Sequence, residues 1–152
     1  MRAEGPAVEC RSSGQPRSSG RIVIVVDASV MAPALADDNS DGDAARAALR
    51  GNALAAPELI DLEVASVWRR QVMAGQLEVR RADLAVADLL ALPLQRVPHR
   101  QLITRCWELR QTLTPYDAAY PALAELLDVV LVTGDKRLSR SPDVRCRVQV
   151  IG

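Results

Sequence analysis

The sequence predicts an α/β domain, a three-layer α/β/α sandwich around a mostly parallel sheet, and three observations carry that prediction. Ile22-Val23-Ile24-Val25-Val26 is an unbroken β-branched run, the pattern of a strand buried on both faces. Val129-Val130-Leu131-Val132 repeats that pattern late in the chain. Between and after them, strand-like and helix-like segments alternate, which is the order that builds a parallel sheet. With 152 residues, 49% hydrophobic and 25% charged, the chain has the size and composition of one globular domain.

Residues 1–20 hold Ser, Gly and Pro with almost no apolar residues, so they are expected to form a disordered extension ahead of a domain spanning 21–152. The apolar stretch from Ile22 to Ala36 imitates an export signal, but Asp27 puts a charge inside it and it is too short to cross a bilayer. The first strand is followed by a short helix over Asp43–Leu49, stopped by Gly51, and by a weak strand, Leu54-Ala55-Ala56. Pro57 is expected to open a long helix to about Met73, with Gly75 past its end. A helix over Arg81–Ala91 ends at Pro93, a strand covers Leu94–Val97, and a helix covers Gln101–Arg110. Thr114-Pro115 has the form of an N-cap and first-turn proline, starting a helix through about Leu127. Pro121 inside that helix removes the donor for the Asp117 carbonyl, so a kink or a wide turn is expected there. The Val129–Val132 strand and a last one over Val148–Val150 complete the domain.

Composition excludes several chemistries. Basic and acidic residues balance at 19 each, so no global field recruits a polyanion and any such ligand must be held by local patches. All the basic residues except Lys136 are Arg, the side chain suited to bidentate contact with phosphate. Two Trp, two Tyr and no Phe leave little material for a stacking surface of the kind that sheet-based RNA readers use. His99 is the single histidine, which removes His-based zinc sites and His acid/base chemistry and leaves it as an ordinary loop or core-edge residue. Cys10, Cys106 and Cys146 show no CxxC spacing and fit a reducing, cytoplasmic setting with no membrane attachment.

Acidic residues remain. Asp27 follows the first strong strand directly, and Asp135 follows the second through a Thr-Gly turn, so adjacent strands would aim both into one crevice at the carboxyl edge of the sheet. Each could equally cap the next helix. On a helical wheel started at Leu59, Glu63 falls at roughly 40°, between Leu59 and Val67, and so interrupts an apolar arc. It needs a cation there or a partner such as Arg70. Glu58 and Asp61 fall toward the polar side and need only solvent. Asp117, three residues after Thr114, suits either a capping box or a site. Four carboxylates brought together would repel unless a divalent cation neutralised them, and oxygen ligands without His or Cys suit Mg²⁺ or Mn²⁺.

Four segments, Val25-Val26-Asp27-Ala28-Ser29-Val30, Ala56-Pro57-Glu58-Leu59 through Glu63-Val64, Leu113-Thr114-Pro115-Tyr116-Asp117-Ala118-Ala119-Tyr120 and Val132-Thr133-Gly134-Asp135, resemble in order the motif blocks of PIN-domain ribonucleases of the VapC toxin type. The resemblance runs from about Ile22 to Gly152. It implies a Mg²⁺- or Mn²⁺-dependent endoribonuclease toxin, usually dimeric and neutralised by a VapB-type antitoxin, with RNA as substrate. It gives Asp27, Glu63, Asp117 and Asp135 the acidic roles and Ser29 and Thr133 the supporting ones. Arg69, Arg70, Arg137 and Arg140 are candidates for the RNA backbone, and Trp68, Val72 and Met73 for an apolar groove that takes the antitoxin. Pro121 and the first 20 residues depart from the pattern. The alternatives are a haloacid-dehalogenase-like phosphatase, which wants an acid where Ser29 stands, and a catalytically degenerate acidic-pocket module used for binding or regulation.

Overall fold

The computed structural model describes residues 20–152, so the extension expected before Gly20 lies outside the described residues. The elements run β1 (Val23–Val26), α1 (Ala28–Ala36), α2 (Ser40–Leu49), β2 (Ala53–Pro57), α3 (Ile60–Met73), α4 (Val79–Ala91) and β3 (Leu94–Val97). A 3₁₀ turn over His99–Leu102, α5 (Ile103–Glu108), α6 (Pro115–Leu127), β4 (Val130–Thr133), α7 (Lys136–Arg140) and β5 (Val148–Val150) follow.

All five strands pair in parallel in the order β3-β2-β1-β4-β5. The chain builds outward from β1 to one side, then returns to lay β4 on its other flank. The β1/β4 boundary is therefore the switch point beyond which an open α/β sheet forms its crevice. Successive side chains of a strand point to opposite faces, and Ile24, Val25 and Val26 are all buried, so helices cover both faces and the layers are three. One group is α1 to α4, packed on one another, and the other is α5 with α6, which lies against β1, β2 and β4.

Several boundaries differ from expectation for local reasons. Residues 28–36, for which no element was predicted, form α1, with six of its nine residues buried. A helix apolar all round shows no amphipathic period and looks like a strand extension or signal core. Its last carbonyls are capped from a distance: Arg46 donates to Ala34 O (3.1 Å) and Asp37 O (2.7 Å), and Arg81 to Leu35 O (2.8 Å). Helix α2 starts earlier than expected, at Ser40, and Gly42 presses on the end of α1 so closely that a Cβ would sit 1.8 Å from Asp37 O. Pro57 does not open a helix. It is the last residue of β2, and α3 begins three residues later. The wide turn expected after Asp117 is not formed, because α6 runs unbroken through a buried Pro121.

Candidate active site

The carboxyl edge of β1 and β4 is fastened by two hydroxyls and one carboxylate. Asp27 ends β1 and caps α1, accepting from Ser29 N at 3.1 Å. The Ser29 hydroxyl donates to Asp27 Oδ1 (2.5 Å) and accepts from Gly134 N (2.8 Å). The Thr133 hydroxyl donates to Asp27 Oδ2 (2.5 Å) and accepts from Asp135 N (2.9 Å). A side chain at 134 would crowd Ser29, since a Cβ there lies 3.2 Å from its Oγ. Ser29 and Thr133 thus lock the two strand ends together around Asp27. Burial pushes the Asp27 carboxyl above the ordinary aspartate value, against the opposing pull of these hydrogen bonds.

Glu63 reaches the same edge from α3. The buried stripe of that helix is Ile60, Val64 and Trp68, about a quarter turn from the arc read off the sequence, so Glu63 sits half-buried at its margin. Its partner is not Arg70. The Tyr120 hydroxyl on α6 donates to Glu63 Oε2 at 2.5 Å. Burial first, then the charges of Asp117 and Asp27, raise the Glu63 carboxyl above its ordinary value, with Tyr120 opposing them. Tyr120 in turn is held protonated, by burial and by the acids around it. Its place was missed because a lone helical Tyr carries no partner information; its one signal is that it lies three residues after Asp117, on the same helix face.

Asp117 stands in the first turn of α6, where its backbone N–H donates to the Thr114 hydroxyl at 3.2 Å. Asp27, Glu63 and Asp117 therefore form one electrostatic neighbourhood in which, among the described residues, no arginine forms an ion pair with any of the three. Asp135 lies on the same edge and is linked to Asp27 through Thr133, but its carboxylate turns to Arg137, with an Nη2 contact of 2.7 Å that lowers its pKa. Among the described residues, no three His, Cys, Asp or Glu side chains close into a ready-made metal cage. The donor set nonetheless fits a hard cation: oxygen ligands only, clustered negative charge, and a Glu63 carboxyl raised by burial and by the charges of Asp117 and Asp27.

Two grooves flank the acids. One, of about 380 Å³, is lined by Leu62, Glu63, Ser66, Arg70 and Tyr116 among others. The other, of about 290 Å³, holds Thr114, Asp117, Arg137 and Arg140. Arg70, Arg137 and Arg140 thus reach the acid edge, whereas Arg69 is exposed and lines neither groove. Trp68 cannot belong to an open apolar groove: it is buried, and its indole N–H donates to Ala32 O at 3.2 Å beneath α1. Val72 is half-buried and Met73 exposed. Asp61 is not a free surface acid either, since Arg96 holds it at 2.7 Å and 3.0 Å. His99 lies in the 3₁₀ turn, exposed and 3.4 Å from Glu58.

The PIN domain family model matches residues 24–143, from β1 to beyond α7. This chain belongs to the PIN-domain family. Ribonuclease VapC1 of Mycobacterium tuberculosis is 38% identical over 128 residues, covering 84% of this chain and 96% of that protein. Among solved structures, M. tuberculosis VapC20, described as a sarcin-ricin loop cleaving toxin, superposes with a TM-score of 0.62 at 16% identity, over 78% of this chain and 95% of that one. VapBC2 from Rickettsia felis, bound to a DNA fragment from its promoter, gives 0.56 at 14% identity, over 86% and 100%. These two show the shared fold.

Proposed function

We propose that this PIN domain is a VapC-type endoribonuclease toxin that hydrolyses RNA phosphodiesters at the carboxyl edge of β1 and β4 with Mg²⁺ or Mn²⁺. The single observation that carries this reading is that the charges of Asp117 and Asp27 both bear on a half-buried Glu63, and among the described residues no arginine forms an ion pair with any of the three, while arginines line grooves on either side. Kinship with the VapC ribonucleases supplies the substrate class.

Asp27, Glu63 and Asp117, with Asp135 from the adjoining turn, are the residues that would hold the cation. When bound, it would acidify a water and offset charge on the phosphorane-like transition state. The chain's own contribution is positioning. Ser29 and Thr133 fix both oxygens of Asp27, so that carboxylate loses little freedom on engaging a ligand. Tyr120 does the same for Glu63 from beneath. Arg137, already beside Asp135 and sensing the charge of Asp117, is placed to exchange a carboxylate for a substrate phosphate. Ser29 acts as a brace where a haloacid-dehalogenase-like phosphatase needs its second acid, which disfavours that alternative. On the same reading the partner is a VapB-type antitoxin, the assembly a homodimer and the location the cytoplasm.

Incubating the purified chain with RNA, with and without Mg²⁺ or Mn²⁺, tests the proposal, with Asp27→Asn as control. Cation-dependent cleavage that Asp27→Asn abolishes, and that the product of an adjacent small gene suppresses, is the expected result. Cleavage undiminished in Asp27→Asn would overturn it.

A further inference from the structure

Four aromatic residues serve the whole chain. Trp68 and Tyr120 are buried and hydrogen-bonded, and Trp107 carries the Arg110 guanidinium 4.8 Å over its ring. Tyr116 is different. It is 68% exposed, stands one residue before Asp117, and lines the groove that also holds Glu63 and Arg70. Leu62, 76% exposed, lines the same groove and gives it a second apolar surface. An aromatic ring and a leucine thus stand largely in water next to a carboxylate cluster. Together with Arg70 they offer what one nucleotide needs: a flat apolar face for the base and a cation for its phosphate.

Resting on the ribonuclease reading, we propose that the Leu62–Tyr116–Arg70 groove is a nucleotide subsite, in which the base next to the scissile phosphate stacks on Tyr116. The groove's volume, about 380 Å³, lies at the lower end of the range for small-ligand clefts, roughly 300–1,000 Å³. A base can stack on Tyr116 only if its own face is free, so the subsite selects unpaired RNA: a loop, a bulge or a single strand. Stacking is tolerant of base identity, because every base has a π face. Arg137 and Arg140 line the groove on the far side of Asp117, so the backbone would pass from them across the acids to Arg70. Tyr116 is then a positioning residue that sets which phosphate meets the acids, and it takes no part in proton or metal chemistry.

The test uses a single-stranded oligoribonucleotide that the wild-type chain cuts at one site, and a series of the same oligomer made abasic at each nucleotide around the cut. Tyr116→Ala is expected to raise KM by about tenfold to a hundredfold, the range for one lost stack, with kcat changed less than about threefold. Tyr116→Phe should restore KM, since the ring and not the hydroxyl makes the contact. At one abasic position wild type and Tyr116→Ala should show equal KM, and at the other positions the gap should persist. Equal KM for both proteins on intact RNA, or a gap that survives at every abasic position, would overturn the subsite while leaving the ribonuclease assignment standing. Failure of wild type to cut any RNA would instead overturn the assignment on which the subsite rests.

Discussion

The two ends of α6 present the same problem and solve it in opposite ways. Toward its carboxyl end, Glu125 is mostly buried, yet Arg105 grips it at 2.7 Å and 3.2 Å and Arg145 N donates at 2.8 Å. Burial pulls that carboxyl up, but the arginine contacts outweigh it and its pKa falls below the ordinary value. Eight residues earlier, about 12 Å along the axis, Asp117 faces Glu63 and Asp27, and among the described residues the one side-chain donor that reaches Glu63 is the neutral phenol of Tyr120. There burial and the charges of Asp117 and Asp27 drive the Glu63 carboxyl upward, and burial does the same to Asp27. A chain rich in arginine has the means to neutralise buried acids, and it does so again at Asp61 and Arg96, two residues from Glu63 on the same helix. On the proposed reading, the acids at this edge are left for an added cation, which is how a functional cluster differs from a structural ion pair.

The largest effects should separate the two ends by kind. Asp27→Asn or Asp117→Asn is expected to lower RNA cleavage at least about a hundredfold, because each removes an oxygen placed for the reacting charge. The melting temperature of Asp117→Asn without added metal should hold or rise, since its charge no longer opposes that of Glu63. A variant that lost activity by unfolding would break the comparison, and circular dichroism distinguishes the cases.

Arg105→Ala should do the reverse. It leaves Glu125 partly buried with its main partner gone, at a cost of about 2 kcal/mol read by urea titration, while cleavage persists.

The pH dependence sharpens the contrast further. The folded chain keeps a proton on Glu63 at pH values where the unfolded chain has released it. Its contribution to stability is therefore present at low pH and is lost as pH rises from the ordinary glutamate value through the raised one. Glu125, lowered in the fold, contributes above the ordinary glutamate value and loses that contribution as pH falls through its own. Without metal, Glu63→Gln should flatten the decline on raising pH, and Glu125→Gln should flatten the decline on acidification. Stability curves that respond alike to both substitutions would erase the distinction.

The smallest effect belongs to Pro121. Pro121→Ala returns an N–H to the Asp117 carbonyl but loses a buried ring, for a net gain of about 1 kcal/mol in urea titration. Reduced cleavage in the stabler variant would show that the proline helps to aim Asp117.

The fold and most of the site were legible where local chemistry alone decides. β-Branched runs buried on both faces announce β1 and β4, and an acid directly after the first and one residue beyond the second marks the carboxyl edge of the sheet. Ser29 and Thr133 were legible as supporting hydroxyls by resemblance, though not their bridging between strands. What stayed hidden depends on long-range packing. α1 has no polar face to give it a period, the α3 wheel was turned because its apolar arc is broad, and Trp68 was consequently placed outside. Tyr120 as the partner of Glu63, and Arg96 as the partner of Asp61, are facts about which helices and strands meet. The pairing of Asp135 with Arg137 follows from the short turn of α7, whose N-cap is Asp135 itself.

Calorimetric titration with Mn²⁺ at neutral pH tests the central claim most directly, using wild type, the double variant Glu63→Gln/Asp117→Asn, and Glu125→Gln. Wild type and Glu125→Gln should bind the ion alike, and the double variant should show no binding in the same concentration range. Equal binding by all three proteins, or loss only in Glu125→Gln, would contradict the assignment of the acid edge as the place where the cation sits.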